Sequence, residues 1–151
     1  MTDLSGGAAG AGSEGMRLLL KRAGHELRNA QNAAAVNLEV VRSRVSAGRT
    51  GREDLQSFAD NAAQGLEESA RLGEQLVALC SAAAAAMTAG AFRESADGSG
   101  TISMELGMAT DAASLLAERL RTLASRAGFA AEAAAGGIIL RVPPDSERNR
   151  A

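Results

Sequence analysis

Two runs of apolar residues at seven-residue spacing, joined by a very short connection, constrain this chain more than any other feature. In the first, Leu20, Leu27, Ala34 and Val41 make one row, and Ala23 and Ala30 occupy the other seam position. In the second, Leu55, Ala62, Ser69, Leu76 and Ala83 make one row, and Phe58, Gly65, Leu72, Leu79 and Ala86 the other. On a helix this spacing gathers each run onto a single face. Ser13 is placed to cap the first helix and Glu14 to favour its dipole, and Gly48 stops it just past Ala47. At 1.5 Å per residue the result is a rod of about 50 Å. Thr50-Gly51-Arg52-Glu53 has the spacing of a capping box, so a second helix starts there and ends near Gly90. The Gly48–Gly51 connection leaves room only for an antiparallel hairpin.

Two helices cannot surround a core, and this composition makes the shortage worse. The chain is 46% hydrophobic but only 2% aromatic, its apolar content being mostly alanine. Alanine favours helix and buries little area. The economical closure is a second hairpin from another copy, which predicts a homodimer built as a four-helix bundle. Its expected core is Leu20, Leu27, Val41, Leu55, Phe58, Leu72, Leu76 and Leu79. Charge favours the hairpin too, because the first helix carries six basic against three acidic residues and the second six acidic against two basic.

The remaining composition excludes several classes of function. A net charge of −2 gives no reason to expect nucleic acid. One cysteine, Cys80, and one histidine, His25, cannot make a disulfide or a zinc site within the chain, so no metal and no cofactor are expected. No apolar run reaches the ~18–20 residues of a membrane span. Residues 1–13 read as a Gly/Ala-rich disordered lead-in without the pattern of a signal peptide, so a cytoplasmic protein is expected.

Past the hairpin, over 14–90, the pattern changes. Ser95-Ala96-Asp97-Gly98-Ser99-Gly100 reads as a linker, and residues 101–144 as a small α/β unit with a loose tail over 145–151. Within it Ile102, Met104 and Leu106 alternate as in a strand. Thr110 and Asp111 open a helix with Ala113, Leu116, Leu120, Leu123 and Ala127 inside, stopped by Gly128. Phe129 to Ala134 fits either strand or loop. Gly136-Gly137 signals a turn, and Ile138 to Val142 is strand-like up to Pro143-Pro144. The fold class expected is mainly α: a long helical hairpin in a dimeric bundle, followed by this small α/β unit.

His25 falls at the heptad position farthest from the seam, where packing gives no reason for a histidine. It opens the run His25-Glu26-Leu27-Arg28-Asn29. That run, on the first helix of a heptad hairpin, resembles the phospho-acceptor box of sensor histidine kinases. Ala30 stands where those kinases commonly carry proline, so the helix is expected to be straighter. Gly24 stands where serine is common, which suits either close packing or clearance for a docking partner. Their ATP-binding domain has an asparagine-bearing helix and glycine-rich nucleotide boxes, and neither is found here. The strand–helix–strand after Gly100 looks like the opening of such a domain, cut short. Asp97-Gly98-Ser99-Gly100 lacks the strand–helix context of a phosphate cradle. ATP binding and autophosphorylation are therefore not expected. The whole is similar to dimeric bacterial histidine phosphotransferases, which keep the kinase hairpin and a vestigial second domain.

That resemblance implies a two-component phosphorelay in which His25 exchanges phosphoryl groups with aspartates of response-regulator receiver domains. A hybrid histidine kinase is a further implied partner. A neutral imidazole is a competent nucleophile, and phosphoryl transfer asks the protein mainly for positioning and charge neutralisation. Lys21, Arg22 and Arg28 can supply positive charge to the incoming group, and Asn32 extends the partner-facing surface. By the resemblance, Glu26 holds the ring proton, and Glu26 with Asn29 matches a pattern associated with dephosphorylating a bound regulator. Two other readings compete with the relay: a catalytically silent dimeric scaffold, and a phosphatase acting on a response regulator.

Overall fold

The computed structural model describes residues 14–48, 51–95 and 100–143. The lead-in with Ser13, Thr50 of the capping box, the centre of the Ser95–Gly100 linker, and Pro144 with the tail lie outside these residues. Helix α1 spans Glu14–Ser46 and helix α2 Arg52–Thr88, in agreement with the ends expected from glycine and charge. Gly48 and Gly90 take positive φ just past the two helices. After α2, Gly90 N donates to Met87 O and Ala91 N to Ala86 O, the paired bonds that satisfy the last carbonyls of a helix.

The chain divides into two compact units, one of Gly24–Glu74 and one of residues 1–23 with 75–151. In the Gly24–Glu74 unit the two helices pack closely. A Cβ added to Gly65 would stand 3.1 Å from the Ala34 Cβ, so only glycine permits this approach without a shift. Arg44 ties the turn end, donating to Asp54 at 2.8 Å while its guanidinium lies 4.9 Å from the centre of the Phe58 ring. Other pairs, Arg42 with Glu39 and Arg71 with Glu68, bridge one turn of a single helix. The apolar residues of this unit that are buried are Ala34, Ala62 and Leu72, joined by Ser69. Leu27, Val41, Leu55 and Phe58, expected in the core, are only half-buried within the chain.

The other unit holds a four-stranded antiparallel sheet of order β1-β2-β4-β3, with β1 Phe92–Glu94, β2 Ile102–Glu105, β3 Ala130–Ala134 and β4 Gly137–Arg141. Helix α3, Thr110–Arg126, connects β2 to β3, so β4 lies between two strands that a helix joins. Alternation puts Ile102 and Met104 opposite Leu140 and Ile138, and all four are buried. Ala113, Ala117, Leu120, Leu123 and Ala124 are the buried residues of α3, while Leu116 is half-buried. Gly128 ends α3 at φ 80°, and the following Phe129 donates back to Ala124 O and is 2% exposed. The expected strands around Ile102 and Ile138 and the helix from Thr110 are present. The segment left between strand and loop, Phe129 to Ala134, contributes β3.

Strand β1 lay outside the expectation, and residues 95–100 join it to β2, where Ser95 N donates to Thr101 O at 2.9 Å. This strand also caps α1. Glu94 Oε1 accepts from Gly15 N at 2.5 Å, placing a carboxylate at the helix N-terminus, where the dipole favours it. Glu94→Ala is expected to lower stability by about 1–2 kcal/mol, the usual cost of losing a cap, read as a shifted urea midpoint at unchanged slope. Glu94→Gln, which keeps the shape, should recover part of that loss.

In the same unit α1 buries Met16, Leu19 and Ala23, and α2 buries Gln75, Leu79, Ala82, Ala83 and Ala86. Leu20 and Leu76, expected in the seam, are half-buried. The face of α1 is set here by the groups that hold its first turns, Glu94 at the end and Ala127 O, which accepts from Arg22. Gln75 does the equivalent on α2, its Oε1 accepting the Leu123 N–H at 2.9 Å in a buried position. No helix among the described residues is long and apolar enough to cross a membrane.

Candidate functional site

Heptad spacing puts His25 away from the seam, and His25 is exposed on α1. Successive helical residues turn by about 100°, which brings Asn29 to about 40° on one side of His25 and Asn32 to about 20° on the other. Both are exposed, as is Arg28. Asn29 and Asn32 therefore share the face of His25 along α1. Glu26 points about 100° away and is half-buried beside the half-buried Leu27.

Among the described residues, the side chains of His25, Glu26, Arg28, Asn29 and Asn32 make no hydrogen bond or ion pair. The imidazole is open to an incoming group, and the Glu26 carboxylate is not bonded to it. Nor is any group of three or more metal-ligating side chains present among the described residues.

Lys21 and Arg22 belong to the other compact unit. Lys21 is exposed, whereas Arg22 Nη1 donates to Ala127 O at 3.2 Å, at the C-terminal end of α3. A cation there satisfies a terminal carbonyl and complements the helix dipole. Arg22 thus has a structural task, and of Lys21, Arg22 and Arg28 it is Arg28 that shares a unit with His25.

Gly73 on α2 had not been singled out. Ala34 lies against Gly65, so equal rise along antiparallel helices brings His25 about level with Glu74 and Glu26 about level with Gly73. The signal available in the sequence was a glycine inside a helical pattern. Two surface depressions lie elsewhere. One, of about 530 Å³, is lined by Val36, Glu39, Val40, Ser43 and Arg44 on the later turns of α1. The other, of about 320 Å³, lies beside β3 and includes Arg121, Ser125, Phe129 and Pro143. Neither includes His25.

No protein-family model, curated protein or solved structure matches the chain.

Proposed function

We propose that this chain is a histidine phosphotransfer protein of a bacterial two-component phosphorelay. His25 accepts a phosphoryl group from the aspartyl phosphate of one receiver domain and passes it to the aspartate of another. The observation that carries this reading is a solvent-exposed, unengaged His25 on the first helix of an antiparallel hairpin, followed by Glu26 and Asn29 at the spacing of the phospho-acceptor box. The imidazole attacks phosphorus as the acyl-phosphate P–O bond breaks, and the phosphate leaves the aspartate as a free carboxylate. Glu26 is assigned to hold the ring proton, which requires its side chain to swing sideways. Arg28 is assigned to the phosphoryl charge, with Lys21 a further candidate, and Asn29 and Asn32 to the partner-facing surface.

The active form in this reading is a homodimer closed as a four-helix bundle. Support comes from the Gly24–Glu74 unit, where two alanines, one leucine and a serine are too little to stabilise a hairpin. The half-buried Leu27, Val41, Leu55 and Phe58 have apolar surface left for a second copy to cover.

Incubation with phosphorylated receiver domains tests the proposal. Label should transfer to this chain, acid-labile and base-stable as expected of phosphohistidine, with no labelling from ATP alone. If no phosphorylated receiver of the same cell labels it, the silent-scaffold reading replaces this one. ATP-dependent labelling would restore a kinase.

A further inference from the structure

The sheet has two edge strands, β1 and β3, and β3 is the longer. An open strand edge is ordinarily blunted by lysine, proline, a bulge or a covering element. Ala130-Ala131-Glu132-Ala133-Ala134 carries neither lysine nor proline, and its register with β4 runs without a bulge. That register also fixes which backbone groups are open. Ala134 and Gly137 close a two-residue turn and bond to each other, so Glu132 and Ala130 bond to β4 as well. Ala131 and Ala133 therefore aim their N–H and C=O groups away from the sheet. Among the described residues, neither makes a hydrogen bond beyond it.

Helix α3 packs mainly on β3 and walls this edge. Its Arg121 and Ser125, with Phe129, Ala130 and Ala131, line the depression of about 320 Å³ beside the strand. Two charged residues reach that depression. Glu132 is paired with Arg141, and alternation puts it on the face opposite Ala131 and Ala133. Arg121 pairs with Glu118 on the exposed surface of α3, where water holds such pairs weakly. An occupant of this edge thus finds backbone partners at Ala131 and Ala133 and a cation beside them. A second copy of the chain fits poorly. Antiparallel pairing of both alanines sets the two copies' Glu132 side chains directly opposite each other, where like charges repel.

We propose that the open edge of β3 docks an extended, acidic peptide segment of a partner protein. The segment adds a strand to the sheet through Ala131 and Ala133 and sets a carboxylate against Arg121. Main-chain bonds supply the affinity, and Arg121 supplies the preference for an acid. This site is independent of His25 and of the phosphorelay reading.

Random peptides displayed on phage and selected against the whole chain are the probe. Enriched peptides should carry Asp or Glu, and synthetic copies should bind the chain in calorimetry. Methylating alternate backbone amides of a synthetic copy should weaken binding by about fivefold or more, the worth of one lost backbone bond. Ala133→Pro removes a donor from the protein side at an edge position that spares the ladder to β4, and should weaken binding similarly. Arg121→Glu, on the exposed surface of α3, should turn the selection from acidic to basic peptides. Circular dichroism of each variant separates lost binding from a lost fold, and the methylated peptides leave the protein unaltered. No enrichment over a control surface would overturn the proposal. So would binding that survives amide methylation, which would mean that the peptide does not pair with the strand. An acid preference unchanged in Arg121→Glu would overturn the role of Arg121. A parent assembly that Ala133→Pro alone takes apart would give the edge to a second copy and overturn the peptide.

Discussion

His25→Ala is expected to abolish the proposed phosphoryl acceptance and to leave the proposed dimer intact. The side chain is exposed and makes no bond among the described residues, so its removal costs little stability. Circular dichroism and light scattering should be indistinguishable from the parent while acid-labile label falls to background. Label that persists in this variant places the acceptor elsewhere and removes the central assignment. The neighbours should separate by role. Glu26→Ala should slow transfer by about 10²-fold, the lower end for acid–base assistance, through loss of the acceptor for the ring proton. Asn29→Ala should spare acceptance and, if this face also dephosphorylates a regulator, prolong the regulator's phosphorylated lifetime. Charge reversal at Arg28 should weaken encounter with an acidic receiver pocket, most visibly at low salt. Arg28 is a cleaner site for that test than Arg22, whose bond to Ala127 O ties it to the fold.

Leu72→Ala should have the largest effect on stability, about 2–5 kcal/mol. Leu72 is fully buried in a unit whose other buried residues are Ala34, Ala62 and Ser69, so truncating it cuts back the largest buried side chain there. In the proposed dimer the same change loosens subunit association, so the urea midpoint of the variant should depend more steeply on protein concentration than that of the parent. Light scattering that finds the parent monomeric at micromolar concentration would set the bundle aside. A small midpoint shift in a dimeric variant would place the main core at the half-buried Leu27, Val41, Leu55 and Phe58 instead.

The helices were legible because their signals are local. Gly48, Gly90 and Gly128 end them at positive φ, and each stop depends on backbone conformation rather than on a distant partner. The exposure of His25 was legible for the same reason: a heptad fixes which way each residue points once the seam is known. Ile102, Met104, Ile138 and Leu140 announced two strands because large apolar residues there alternate or cluster as a sheet requires. The proposed site shared this legibility in its spacing but not in its contacts. Glu26 and Asn29 stand where the pattern puts them, yet only the folded chain shows that no hydrogen bond joins Glu26 to His25.

Periodicity and turn glycines settled the number, type and C-terminal ends of the long elements, because each of these acts over a single turn of chain. Which surfaces meet was settled by tertiary structure. Ala130–Ala134 carries no pattern that distinguishes strand from loop, and becomes β3 because β4 offers it a ladder of hydrogen bonds. Phe92–Glu94 is too short to show a period and becomes β1 by pairing with β2, which in turn delivers Glu94 to the end of α1. Alanine gives little side-chain preference for one face over another. An alanine-rich helix therefore leaves its buried side to the partners that long-range folding brings against it, as Met16, Leu19 and Ala23 show where Leu20 had been expected.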